Sequence, residues 1–220
     1  MTCKTLTYLK MVPALACLGL SAMTVSARTA MKDIFVNSPR DIFTTIDSIT
    51  RVEMVLYNEA GSETMSKNLF GGPCRIDYIS DTELKVITSP ASSTDLYRLP
   101  AAKGDSVILA VTSVLLPAVD SHATMYSADW KELPAKMQLP SVNDLDLWLT
   151  DEGKERRREV ENAVPFVPAL FVYSSATCTL VVDSSIRQLI GKDNYEQIAS
   201  CLKKAISYRW DGRKWKQLAE

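Results

Sequence analysis

The single histidine of the chain sets the limits of its chemistry. His122 stands in Asp120-Ser121-His122, which holds the three residue types of a nucleophilic triad side by side. A working triad gathers its members from separate places in the fold. Neighbouring residues of a strand point to opposite faces, so Ser121 should aim away from His122, which reads as an exposed histidine near a strand end. One histidine also excludes two-histidine metal sites and metalloprotease helices. There is no G-x-S-x-G elbow, and Gly71-Gly72 precedes Pro73, as suits a turn rather than a phosphate loop. Asn143, Asp144 and Asp146 lack the alternation and the glycine of a calcium loop. Cys74 would be a nucleophile only if His122 met it in the fold, and a buried thiol at a strand start is the plainer reading. Two carboxylates converging for glycoside hydrolysis would leave no sequence signature, so that option stays open. The residues therefore nominate no catalytic, cofactor-binding or metal-binding group.

One segment has the character of a recognition surface. Asp211-Gly212 between two aromatic runs is the signature of a two-residue hairpin. In that register Trp210 faces Arg213 and Tyr208 faces Trp215. Tyr208, Trp210 and Trp215 then share one face, with Arg209, Lys214 and Lys216 on the other. Aromatic rings beside Arg213 and its neighbouring cations can stack on nucleic acid bases or on sugars. The alternative is an inward-facing aromatic ladder behind a solvated basic face.

The elements that must position these residues follow from pattern and punctuation. Met31 to Val36 is followed by a turn at Asn37-Ser38-Pro39. Asp47 can cap a helix carrying Ile49, Val52, Val55 and Leu56, which Gly61 stops, and whose apolar stripe is expected to bury against a sheet. Strands are expected at 74–80 and 83–88, turning at Asp81-Thr82, and at 94–99. Ser106 to Leu116 is apolar on both faces and belongs in the middle of a sheet. His122 to Tyr126 returns as a strand, and 131–150 reads as a connection. A charged surface helix is expected over 151–163, strands at about 168–174 and 177–183, and a helix at about 192–204. Short turns between strands disfavour parallel winding. The expected class is α+β, a mainly antiparallel sheet with helices packed on one face, with two helix-plus-strands lobes dividing near 131–150 as the alternative.

The 220 residues are 46% hydrophobic and 23% charged, a globular profile. Residues 1–27 read as a signal peptide: Lys4 and Lys10 precede an apolar run from Met11 to Val25, and Val25-Ser26-Ala27 places cleavage after Ala27. That run is too short to span a bilayer comfortably. An uncleaved anchor and a lipid anchor at Cys17 are the alternatives. Losing Lys4 and Lys10 takes the net charge from −1 to −3, so nucleic acid is not an expected partner. The mature residues 28–220 form one α+β domain without a transmembrane segment. Of five cysteines, Cys74, Cys178 and Cys201 survive cleavage. They are read as small buried hydrophobes, with a Cys178–Cys201 bridge as the alternative.

Several short motifs carry a family resemblance. They are Met31-Lys32-Asp33-Ile34-Phe35-Val36, Pro117-Ala118-Val119-Asp120-Ser121, Met125-Tyr126, Asp129-Trp130-Lys131-Glu132-Leu133, and Tyr208-Arg209-Trp210-Asp211-Gly212-Arg213-Lys214. From about 31 to 217 the chain resembles domain-of-unknown-function family 3256, a family of exported Bacteroidales proteins. The resemblance implies a Gram-negative envelope location and brings no catalytic residue. The expected role is a periplasmic, non-catalytic binding or interaction module without a cofactor, its partner an envelope protein or glycan. An envelope hydrolase using carboxylates or a thiol, and a small-ligand carrier with a closed apolar cavity, are the rival readings.

Overall fold

The computed structural model describes residues 29–102 and 105–219. The cleavage site after Ala27 and Cys17 lie outside the described residues. Two short-range devices start the fold. Helix α1 (Met31–Val36) buries Met31, Ile34 and Phe35, and the Phe35 and Phe43 rings meet edge to face at 4.9 Å. Helix α2 (Ser48–Glu59) begins where Asp47 Oδ1 accepts the N–H of Thr50 at 2.7 Å, the expected cap.

Next comes an antiparallel meander. It runs β1 (Ser66–Lys67), β2 (Pro73–Ile79), β3 (Glu83–Ser89), β4 (Ser92–Pro100), β5 (Ser106–Val114) and β6 (Asp120–Ser127), paired in chain order. The hairpin between β2 and β3 turns over Asp81-Thr82, as the sequence predicts. Strand β5 lies between β4 and β6 and is buried on both faces. Ile108 and Ala110 join Phe35, Phe43, Ile46 and Met54 beneath the two helices. Val107, Leu109 and Val111 point the other way, into a second core.

That second core is closed by a second sheet rather than by helices alone. Helices α3 (Leu145–Trp148), α4 (Asp151–Glu155) and α5 (Arg157–Ala163) lead into β7 (Ala169–Ser174) and β8 (Thr179–Ser184). Helices α6 (Ile186–Ile190) and α7 (Lys192–Ile198) precede β9 (Ala205–Trp210) and β10 (Trp215–Gln217). The four strands pair antiparallel in the order β10-β9-β8-β7. Phe171, Leu180, Val182, Ile206 and Tyr208 face Leu99, Leu109 and Met125 of the first sheet in one continuous cluster. The class is α+β, built of two antiparallel sheets, with α1 and α2 on the outer face of the first.

Four local expectations are corrected. Of the α2 stripe only Val55 packs against the core, while Ile49, Val52 and Leu56 stay exposed, because Phe35, Phe43 and Ile46 already cover that ground and α2 docks through Arg51 and Met54. The 151–163 segment breaks at Arg156 into α4 and α5. Helix α7 ends at Ile198, and a 3-10 turn, Ala199–Cys201, lets Leu202 bridge to Leu149. The C-terminal hairpin pairs Trp210 with Trp215 and Tyr208 with Gln217, two residues out of the predicted register. Asp211 causes that shift: its Oδ1 accepts the N–H groups of Arg213 and Lys214 at 2.9 Å each, making a four-residue loop the stable one. A slip of two preserves face parity, so the three aromatics still share a face.

Candidate interaction site

The residues singled out for chemistry do not come together. Ser121 is buried with its Oγ 2.8 Å from Ser113 Oγ, while His122 is exposed and only approaches Thr124, at 3.3 Å. The alternation of β6 thus separates them as the sequence predicts. Cys74 sits on β2, with three strands between it and the β6 that carries His122, and its thiol is pushed up to about 11 by burial and then by the Glu53 charge. Cys74, Cys178 and Cys201 are all free thiols. Asn143 Nδ2 donates to Val167 O, Asp144 caps α3, and Asp146 pairs with Arg157 at 2.7 Å. Each of these loop residues has a structural post. Among the described residues no group of three His, Cys, Asp or Glu side chains converges to hold a metal ion.

The aromatic face of the C-terminal hairpin points inward. Tyr208, Trp210 and Trp215 are all buried, the two indole rings lie 5.4 Å apart, and Trp210 Nε1 donates to Pro100 O at 2.7 Å. The ring faces that a base or sugar would need are taken up by the core. Arg213 stays exposed at the loop, apart from them.

An open apolar surface lies on α2 instead. Ile49 is 79% exposed, Val52 44% and Leu56 59%, spaced i, i+3 and i+7 along one side of the helix. With Val36 and Tyr57 they border a shallow groove of about 680 Å³ between α1 and α2. The opposite edge of α2 holds this face outward. Arg51, 95% buried, donates from Nη1 to Ser38 O at 2.6 Å and also to Ser38 Oγ, and its guanidinium pKa is lowered by loss of water. With its one cation, Arg51, buried, α2 brings a single acid, Glu53, to the groove. Glu53 accepts from Tyr57 OH at 2.9 Å, and Glu59 pairs with Lys32 of α1 at 2.6 Å.

Sequence reasoning found the stripe but sent it to the wrong side. The available signal was Met31, Ile34 and Phe35, whose helical spacing marks α1 as a competitor for the sheet.

The family model described as "Protein of unknown function (DUF3256)" matches residues 22–215. The chain belongs to this family. Among solved structures the family member is similar to a domain of an uncharacterized protein from Porphyromonas gingivalis W83. The TM-score is 0.69 at 20% identity, over 87% of this chain and 100% of that one. That likeness shows a shared fold. No curated protein matches.

Proposed function

We propose that this member of the family is an exported, non-catalytic interaction module of the bacterial envelope that docks a partner protein through α2. The observation that carries the reading is the unpartnered stripe of Ile49, Val52 and Leu56 on a helix that docks through Arg51 and Met54. Three large side chains at helical spacing form the kind of seam that receives an amphipathic segment. Glu53 at its edge matches a partner whose apolar residues are flanked by Lys or Arg. Export is supported by the N-terminal pattern of Lys4, Lys10, the apolar run to Val25 and the small residues before Arg28. Cell fractionation with N-terminal sequencing tests it: a periplasmic form starting at Arg28 is expected, and a cytoplasmic full-length form refutes it.

The docking reading is tested by mild cross-linking of the tagged protein in its native envelope, with mass spectrometry of the cross-linked peptides. Links from the α2 region to one basic-flanked apolar segment, lost in the Ile49→Asp, Leu56→Asp double variant, are the expected result. A partner held equally by the double variant overturns the reading. So does light scattering that shows a homodimer dissociated by those substitutions, since the occupant would then be a second copy.

A further inference from the structure

A second feature lies on the far side of the molecule, where the end of β8 meets α6 and α7. A cleft of about 400 Å³ opens there, with Leu170 and Asp183 of the outer sheet face on one wall and Arg187, Tyr195 and Lys204 around it. We infer that this cleft binds an acidic saccharide, a hydroxyl-rich ring carrying a carboxylate or phosphate.

Ser185 is the first reason. It is 94% buried and occupies the N-cap position of α6, yet its hydroxyl does not cap the helix. Its backbone N–H is spent on Pro168 O, whereas the side chain has no hydrogen-bond partner among the described residues and lines the cleft. The residue is buried but its hydroxyl oxygen keeps accessible surface on the cleft, so it can donate to or accept from a guest that enters. Charge is the second reason. Arg187 and Lys204 are exposed and form no ion pair among the described residues, and Asp183 is the one carboxylate lining the cleft. Two cations without carboxylate partners favour an anionic guest.

The remaining wall suits a sugar ring. Gln188 Oε1 is occupied by the Val119 N–H at 3.2 Å, which leaves its Nε2 as a donor. Ser184 and Tyr195 supply hydroxyls that can donate or accept, and Asp183 accepts, its carboxyl pushed up by burial. Leu170 offers an apolar patch for the C–H face of a ring. The volume falls in the range of small-ligand sites, about 300–1,000 Å³. This inference does not depend on the α2 docking reading.

Amide-resolved NMR titration of the mature protein tests it, with glucuronate, glucose 6-phosphate, glucose, acetate and inorganic phosphate as probes. Saturable shifts confined to 183–188, Tyr195 and Lys204 are expected with an acidic sugar, at least about tenfold tighter than with glucose. Stronger binding of glucuronate assigns a carboxylate-bearing source, and of glucose 6-phosphate a phosphorylated one. The Arg187→Ala, Lys204→Ala variant should lose that preference with its spectrum elsewhere unchanged, and Ser185→Ala should weaken both acidic sugars. The inference falls if glucose binds equally well, if acetate or phosphate alone binds as tightly as the sugars, if the double variant binds as before, or if no probe shifts these residues.

Discussion

At the scale of single residues, the groups with perturbed ionisation have structural causes, and each makes a measurable difference. Burial holds the Cys74 thiol at about 11, so at pH 8 only about one molecule in a thousand carries the thiolate there. Alkylation of the native protein at that pH should mark the half-buried Cys178 first and reach Cys74 only on unfolding, as peptide mapping over time would show. Asp211 is the opposite case. Its bond from Lys216 and the two loop N–H groups lower its carboxyl to about 2. The folded value lies below the unfolded one near 3.9, so its support for the hairpin is complete above about pH 4. It is lost as pH falls toward 2. NMR titration should show the Arg213 and Lys214 amides moving together in that window. A midpoint near 3.9 would mean the loop bonds do not favour the charged form.

At the scale of elements, the two sides of α2 should respond differently to substitution. Replacing Ile49 or Leu56 by Asp should change folding stability by no more than about 0.5 kcal/mol, because neither packs in the core. Met54→Ala should cost about 2–5 kcal/mol in denaturant melts, since Met54 is buried beside Cys74 and Ile76. Equal losses at both positions would place the stripe in a core after all. Strand assignments were legible in the sequence where turn residues punctuated the chain, as at Asp81-Thr82, or where an apolar run was bounded by polar residues and proline, as from Ser106 to Val114. Helix breaks were not. In the helix that stops at Arg156, Gly153 lies against the Cys201 carbonyl, where an added Cβ would come within 2.1 Å, and no local pattern announces a contact with a residue so distant in sequence. The α2 site was half legible for the same reason: periodicity defines a stripe but does not say which neighbour reaches the sheet first. The cleft beside α6 was invisible, because Ser185 differs from an ordinary capping serine only in what surrounds it.

At the scale of the whole molecule, the cluster that joins the sheets decides how the chain unfolds. Leu109 is fully buried on β5 and belongs to the cluster that also holds Phe171, Leu180 and Trp215. Leu109→Ala should therefore lower the stability of both sheets by about 2–5 kcal/mol. Tryptophan fluorescence from the second sheet should report the same midpoint as far-UV circular dichroism. Two separated transitions, only one of them moved, would show that the sheets melt independently.

The double burial of β5 also bears on how the gene can be cut. From Val107 to Val111 no side chain of that strand is exposed, so one strand serves as a party wall between two rooms. A fragment ending near residue 130 keeps the whole meander but leaves Val107, Leu109 and Val111 without a roof. Such a fragment is expected in inclusion bodies, while co-expression of the missing half should bring it back into the soluble fraction.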